Sequence, residues 1–263
     1  MHPIRVGAQL HPQHGDYANL RRAAIEAEQL GYDAVFNWDH FFPLYGGGDR
    51  HLECWTVLAA WAEATERIEL GPLVTCNSYR NPNLLADMAR TVDRISGGRL
   101  VLGLGAGWFR RDYDEYGFEF GTWTTRFDAL ADALPVIEHR LTVLDPPPYR
   151  PVPVLIGGVG ERRTLPLAAR HATMWHAMFP EKPAELRPKI ERLHALCAEL
   201  GRDAATIECW VGIEPDDIDR FLDYDAETYL AMGFTGFSLG FNGPDWSPSA
   251  GERWLEWRAA HSA

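Results

Sequence analysis

The sequence contains very little lysine and no clustered basic segment. Of its 25 basic residues only Lys182 and Lys189 are lysines, and the formal net charge is −12. Phosphate backbones and anionic lipid surfaces are bound by dense positive patches, which this composition does not supply. We therefore expect a protein that binds neither nucleic acid nor a membrane surface.

Long apolar runs and cysteine pairs are also missing. No apolar stretch approaches the roughly 20 residues that a membrane-spanning helix needs. The first residues are typical of a strand rather than of a secretory signal. Four cysteines occur without a CxxC pair: Cys54, Cys76, Cys197 and Cys209. These features predict a cytoplasmic protein whose thiols are free.

What the chain does contain is a regular alternation of short apolar runs and amphipathic segments. The apolar runs predict eight strands, and the segments between and after them predict eight helices. Eight such units in 263 residues are typical of a closed (β/α)₈ barrel with few insertions, and an open doubly wound sheet is the alternative. The proline-rich stretch 146–153 is interpreted as a shortened connection, so residues 1–263 are expected to form one domain. The strands are predicted at residues 4–10, 34–36, 68–74, 100–104, 154–156, 174–177, 207–213 and 236–239.

Polar side chains and glycines follow the predicted strands, where a barrel enzyme places its active site. Strand two ends in Asp39 and His40, a carboxylate beside an imidazole. His40 is a candidate for proton transfer, although a single histidine more often caps a strand end or bonds a loop carbonyl. The polar and glycine residues that follow the other strands include Gln9, His11, Thr75, Cys76, Asn77, Gly105, Gly107, Gly157, Gly158, Gly160 and His176.

The segment 157–164, Gly-Gly-Val-Gly-Glu-Arg-Arg-Thr, is the best candidate for an anion site. Its glycines allow backbone N–H groups to approach a ligand, and a helix N-terminus follows. Arg162 or Arg163 could add a bidentate phosphate contact. From spacing alone, a plain strand-to-helix turn with solvated arginines is an equal alternative.

Aromatic and histidine side chains near the same face raise the possibilities of a ring-binding pocket and of a metal site. Trp38, Phe41, Phe42, Trp108 and Phe109 either pack the rim or form the wall of a pocket for a flat ring. The spacings of His11, His14 and His176 match no familiar ligand motif, so no metal site is predicted.

Several blocks together resemble the luciferase-like monooxygenase superfamily. They are Trp-Asp-His-Phe at 38–41, Leu-Gly-Pro-Leu-Val-Thr at 70–75, Tyr-Arg-Asn-Pro at 79–82, the segment 96–108 and the segment 156–165. Their order and separation resemble the branch that uses the deazaflavin coenzyme F420.

This resemblance implies a barrel that holds the coenzyme ring in its mouth, with a cis peptide bond at Leu73–Val74 behind the ring. It implies that His40 lies near the ring carbon that exchanges hydride, with Asp39 orienting it or contacting the polar edge of the ring. It also implies a homodimer formed through the second and third helices. The expected cofactor-binding residues are Gln9, Leu73, Val74, Thr75, Asn77, Gly105, Gly107, Gly157, Gly158, Gly160 and Arg162, and the expected substrate pocket contains Trp38, Phe41, Trp108 and His176.

Departures from the family pattern narrow the expected chemistry. Sugar-phosphate and alcohol dehydrogenases of the branch carry a glutamate where Trp108 stands, and some carry a glutamate near Gln13 and a tryptophan near Leu44. The segment between the fourth helix and the fifth strand is also short. The resemblance thus predicts hydride transfer between F420 and a small unsaturated substrate. The alternatives are an FMN-dependent monooxygenase and a non-catalytic flavin-binding relative.

Overall fold

A ring of parallel strands forms the centre of the molecule in the computed structural model, which describes residues 2–178 and 183–261. Each strand is short and mostly buried, as is usual where helices cover a parallel sheet. The strand segments are β1 (Arg5–Leu10), β2 (Ala34–Asn37), β3 (Glu69–Pro72), β4 (Thr75–Cys76), β5 (Leu102–Gly105), β6 (Val154–Gly157), β7 (Met174–Ala177), β8 (Glu208–Ile213) and β9 (Phe234–Phe241).

The third barrel strand is divided into β3 and β4, and this division closes the ring. The strand order is β3-β2-β1-β9-β8-β7-β6-β5-β4, with β3 paired to β2 and β4 paired to β5. A bridge between Leu70 and Leu100 adds a further contact across the closure. The peptide bond between Leu73 and Val74, in the gap between β3 and β4, is cis. The predicted barrel and the predicted cis bond are both confirmed.

Ten α-helices cover the described part of the barrel. Asp16 caps the first of them by accepting from the Asn19 N–H, and Gly31 ends it in the left-handed conformation, as predicted. Among the described residues, none of the helices is both long enough and apolar enough to cross a membrane. The helices are α1 (Tyr17–Leu30), α2 (Cys54–Ala64), α3 (Pro82–Ser96), α4 (Arg110–Tyr116), α5 (Trp123–Val143), α6 (Thr164–His171), α7 (Pro183–Glu199), α8 (Ile218–Tyr224), α9 (Ala226–Ala231) and α10 (Glu252–His261).

The ten described helices exceed the eight predicted from the sequence. Residues 110–116 form α4, an additional short helix after β5. Ion pairs one turn apart stabilise it, Arg110 with Asp114 and Arg111 with Glu115, while Asp112 and Tyr113 are buried. The helical stretch before β9 is divided at Asp225 into α8 and α9.

The interior of the barrel is filled by one compact apolar layer. Its largest member is Trp210, whose ring meets Phe36 edge to face at 5.7 Å between centroids. A Cβ on Gly236 would lie only 2.0 Å from the Trp210 indole, so the glycine makes room for the tryptophan. The layer consists of Ala34, Phe36, Leu73, Val101, Leu155, Met174 and Trp210. The residues nearer the carboxyl ends of the strands lie above this floor.

Arg99 ties together the C-terminal ends of two neighbouring helices. Its guanidinium donates to the carbonyls of Ala62 (2.7 Å) and Thr65 (2.8 Å) at the end of α2, and to the carbonyl of Ser96 (2.7 Å) at the end of α3. The last carbonyls of a helix have no partners within the helix, so these bonds satisfy groups that would otherwise need water. Arg99 therefore fixes α2 and α3 beside each other.

Glu28 performs a similar function at the entry to β3. Its carboxylate accepts from the N–H groups of Glu66 (2.9 Å), Arg67 (2.6 Å) and Ile68 (2.9 Å). Burial alone would raise the pKa of Glu28, but these three donors favour the charged form and lower the pKa below its usual value. The charged form of Glu28 is thus favoured in the folded state.

We expect Glu28→Gln to destabilise the protein by about 1–2 kcal/mol at pH 7, because the charge-assisted hydrogen bonds are weakened. The pKa of Glu28 is lower folded than unfolded, so its contribution is complete above the unfolded value near 4.5 and is lost as the pH falls through the folded value. Urea unfolding from pH 7 to pH 3 should show the two proteins converging in acid. Glu26→Gln, which removes an exposed pair with Arg22 on the same helix, should change the free energy of unfolding by less than about 0.5 kcal/mol. An equal effect of both changes would contradict this role of Glu28.

Candidate active site

The polar residues predicted for the site meet at the carboxyl end of the barrel. Gln9 lies in β1, Thr75 in β4 and His176 in β7, and all three are fully buried. Asp39 and His40 lie in the loop that leaves β2. The alternation of strands and helices alone places these residues on one face of the molecule.

Asp39 contacts a different partner from the one expected. Its carboxylate forms a bidentate ion pair with the Arg80 guanidinium and also accepts a hydrogen bond from the Cys76 N–H at 3.0 Å. Arg80 reaches Glu53 as well, at 2.8 Å. Burial opposes the charge of Arg80, but the two carboxylates together raise its pKa above the ordinary value. Its oxygens hold the loop against Arg80 and Cys76, so Asp39 does not orient His40 as expected. The alternative, that Asp39 contacts the polar edge of the ring, stays a prediction.

The carboxylate that contacts His40 belongs to Asp112 of α4. The Nδ1 atom of His40 lies 2.7 Å from Oδ2 of Asp112. The Tyr79 hydroxyl donates to the same oxygen at 2.9 Å, and the Phe41 N–H donates to Oδ1 at 3.0 Å. Asp112 is fully buried, and the His40 side chain is 12% exposed. His40 is therefore an almost buried imidazole held by one carboxylate.

Sequence reasoning missed Asp112 because nothing in its neighbourhood distinguishes it. It is one of three acidic residues in the polar segment 110–116, and the other two are exposed and paired with arginines. The one available signal was position, since the segment follows β5 at the same end of the barrel.

Aromatic rings surround His40 on several sides. The rings of Trp38, Trp108 and Phe109 meet the imidazole edge-on, with centroids 5.4–5.9 Å away. Trp108 is 59% exposed, which is unusual for so large an apolar side chain. Phe41, predicted for the same pocket, packs instead against Tyr116 at 4.1 Å. Trp38 and Trp108 therefore wall the site, while Phe41 belongs to a neighbouring aromatic cluster.

Two histidines, His11 and His51, contact the Trp38 ring and hold it in place. The Trp38 ring stacks on His11 with centroids 4.1 Å apart, and its indole N–H donates to Nε2 of His51 at 3.0 Å. Burial lowers the pKa of both histidines to about 4. They are therefore uncharged near neutral pH, and the wall around His40 is apolar.

Val74 lies above the apolar layer, against β5 and β6, each of which ends in a glycine. A Cβ on Gly105 would lie 2.6 Å from Val74 Cγ2, and one on Gly157 would lie 3.0 Å from Cγ1. The Gln9 amide donates to the Leu73 carbonyl at 3.2 Å. Five of the residues predicted for the cofactor thus lie together, and the two glycines make room for Val74.

Three other predicted cofactor residues have structural contacts of their own. Thr75 accepts from the Trp55 indole N–H at 2.8 Å. Asn77 begins a short 3₁₀ turn and is buried. Gly107 has a positive φ of 80°, and a Cβ there would collide with the Tyr113 hydroxyl at 2.0 Å. At Thr75 and Gly107 these contacts are enough to explain the residue type.

Three buried acceptors at this end of the barrel have no donor among the described residues. Burial lowers the pKa of His176 to about 3, so its ring is neutral. Its Nε2 lies 2.7 Å from the Ser238 hydroxyl, which donates to the Val211 carbonyl, so Nε2 carries the proton and Nδ1 is a bare acceptor. The other two acceptors are Gln9 Oε1 and His11 Nε2. All three side chains are fully buried, so a bound molecule with N–H or O–H groups would reach these acceptors only after neighbouring side chains move.

The segment after β6 has the features of an anion site. Gly158 has a φ of 113°, and α6 begins at Thr164 without a side-chain cap for its first N–H groups. Arg163 pairs with Asp128 at 2.5 Å. Arg162 is exposed and has no ion pair within residues 2–178 and 183–261. Of the two arginines left open by the sequence, Arg162 is the one available to a phosphate.

The described histidines do not belong to a metal-binding cluster. In the described part of the chain, no group of three or more His, Cys, Asp or Glu residues is arranged to hold a metal ion. The four cysteines are buried free thiols, as predicted.

Two curated proteins are similar to this chain. A phthiodiolone/phenolphthiodiolone dimycocerosates ketoreductase of Mycobacterium sp. strain JLS is 29% identical over 209 residues, which are 70% of this chain and 54% of that protein. An F420-dependent glucose-6-phosphate dehydrogenase of Amycolatopsis mediterranei is 27% identical over 186 residues, which are 64% of this chain and 54% of that protein. The chain therefore spans about half the length of these relatives.

The barrel is also similar to a solved structure and to a family model. The F420-dependent secondary alcohol dehydrogenase in complex with an F420-acetone adduct superimposes with a TM-score of 0.84 at 18% identity, and both chains are covered completely. At that identity the likeness establishes the fold. The family model described as luciferase-like monooxygenase matches residues 1–215, which is most of the sequence. The chain therefore belongs to the luciferase-like monooxygenase family.

Proposed function

We propose that the protein is an oxidoreductase that transfers hydride between coenzyme F420 and a small unsaturated organic substrate. The observation that carries the proposal is His40, an almost buried imidazole held by a carboxylate among apolar rings at the barrel mouth. The names of the relatives add support, since one is a ketoreductase and another is F420-dependent. Oxidoreductase chemistry is thus favoured over simple flavin binding.

The barrel interior would hold the coenzyme. Val74 would support the ring from below, and the Oε1 acceptor of Gln9 would receive one of its N–H or O–H groups. His176 keeps its predicted place in the substrate pocket. The glycine turn after β6 and Arg162 would bind its phosphate. When bound, reduced F420 supplies a hydride to an unsaturated carbon of the substrate.

The side chains at the mouth would supply the proton and exclude water. His40 would donate a proton to the atom next to the carbon that receives hydride, and would accept it in the reverse direction. Trp108 and Phe109, which contact the imidazole edge-on, would cover the reacting groups. An indole at position 108 cannot bind sugar hydroxyls as a carboxylate would, so the favoured substrates are uncharged enones, ketones or imines.

We expect His40→Ala to lower kcat for reduction by about 100-fold or more, because proton transfer contributes on that scale. The measurement is the oxidation of reduced F420 in the presence of a panel of enones, ketones and imines. The dissociation constant for F420 should change little, since the imidazole is assigned to the substrate side. His194→Ala, an exposed histidine on α7, is the matched control. If His40→Ala reduces the substrates as fast as the wild type, the proton-transfer role is wrong.

Arg162→Ala should weaken F420 binding by about 10-fold, because a charge-assisted phosphate contact is lost. Arg163→Ala removes the same charge one residue away but breaks the pair with Asp128, so its effect should be smaller. Fluorescence titration with F420 and with FMN checks both variants and the wild type. Tighter binding of FMN by the wild type would favour the monooxygenase alternative, and tight binding without turnover would favour the non-catalytic one.

We also propose a homodimer formed through α2 and α3. Leu84, Met88, Thr91 and Ile95 form one stripe along α3, and Leu84 and Ile95 are 53% and 43% exposed. A second copy would cover this stripe. Leu84→Asp should shift sedimentation from the dimer to the 29.6 kDa monomer, whereas Leu200→Asp, at a leucine that is 42% exposed, should not. Wild-type protein that sediments as a monomer would exclude this dimer.

A further inference from the structure

The Asp112 carboxylate is surrounded by three hydrogen-bond partners that use both of its oxygens. Oδ2 receives the Tyr79 hydroxyl at 2.9 Å and contacts Nδ1 of His40 at 2.7 Å, and Oδ1 receives the Phe41 N–H at 3.0 Å. The group is fully buried, so protein atoms supply these contacts. An ionised carboxylate can only accept hydrogen bonds, so the His40 nitrogen that faces it must carry a proton.

We propose that Asp112 is a positioning residue that keeps the proton of neutral His40 on Nδ1 and leaves Nε2 as the atom that exchanges protons. The pair would keep this arrangement whether or not the ring is also protonated on Nε2, because Asp112 accepts from Nδ1 in both states. The inference deepens the proposed function, and it assigns each ring nitrogen of His40 a separate task.

The reaction then has a defined path for the proton. In the reducing direction, the unsaturated carbon would receive the hydride that reduced F420 supplies when bound, and the π electron pair would move to the adjacent oxygen or nitrogen. That atom takes the Nε2 proton of the His40 imidazolium, which becomes neutral and later regains a proton from solvent. The substrate would gain two electrons and one hydrogen as hydride from the reduced coenzyme, and its second hydrogen as the proton from Nε2. Asp112 stabilises the imidazolium before transfer and holds the ring in place afterwards.

Asp112→Asn tests the proposal because the Phe41 N–H fixes the orientation of the asparagine side-chain amide. The amide oxygen must face that N–H, since two donors cannot face each other. The amide NH₂ then faces Nδ1 of His40 and the Tyr79 hydroxyl, which can accept as well as donate. Nδ1 becomes an acceptor, so the proton of neutral His40 is forced onto Nε2. The substitution changes the tautomer without changing the size of the side chain.

Long-range ¹H–¹⁵N correlation spectra of protein labelled in its histidines distinguish protonated from bare ring nitrogens. The chain has ten histidines, so the His40 signals are assigned by their loss in His40→Gln. At a pH where His40 is neutral, we expect the Nδ1–H tautomer in the wild type and the Nε2–H tautomer in Asp112→Asn. Turnover of Asp112→Asn with F420 should fall about 100-fold or more, with little change in the dissociation constant for F420.

Two control variants separate positioning from folding. Asp114→Asn makes the same change at an exposed position of α4, and it should alter neither the spectrum nor the rate. Tyr79→Phe removes a donor from Oδ2 but keeps the carboxylate, so the Nδ1–H tautomer should remain. A wild-type neutral His40 that carries its proton on Nε2 overturns the proposal, even if Asp112→Asn fails to fold. A confirmed tautomer in a wild type that does not turn over F420 would leave the positioning intact and reject the proposed function.

Discussion

The buried ion pair between Asp39 and Arg80 is the interaction on which the site depends most directly. Asp39 leaves β2 inside the protein, where an unpaired carboxylate would be strongly destabilising. Arg80 and the Cys76 N–H satisfy it. Cys76 ends the third barrel strand, and Arg80 lies in the segment that follows it. Asp39, the residue before His40, therefore holds the loop that carries His40 against the neighbouring strand. A second buried carboxylate, Asp112, then fixes the ring itself from α4.

This arrangement explains which parts of the molecule could be predicted. The repeat of strands and helices follows from the spacing of apolar residues and from local signals such as the Asp16 cap and the Gly31 stop. That His40 would lie at the working end also follows, because the repeat places every loop after a strand on that face. The cis bond at Leu73–Val74 was predicted from the family resemblance, since no periodicity indicates it. The division of the third strand into β3 and β4 was not predicted.

The partner of His40 could not be predicted for a physical reason. Asp39 is its neighbour in sequence, but neighbouring residues of an extended chain point in different directions, so adjacency predicts separation rather than contact. Asp112 lies 72 residues away in a segment that is polar all round. Its burial depends on Tyr79 and Phe41, which belong to two other segments, and no local pattern records a contact shared by three segments. Contacts of this kind are visible only once the chain is folded.

The interior of the barrel contains residues that packing explains and a few polar atoms that packing does not explain. The lower layer is apolar and filled by Trp210, and glycine at position 236 is required by packing. Above it, Gly105 and Gly157 make room for Val74, so these glycines are explained by packing before any ligand is considered. The acceptors of Gln9 and His176 are different, because packing does not explain them and a buried acceptor without a donor costs about 1–3 kcal/mol. These few interior acceptors therefore reduce the stability of the barrel, whereas the glycines beside Val74 serve its packing.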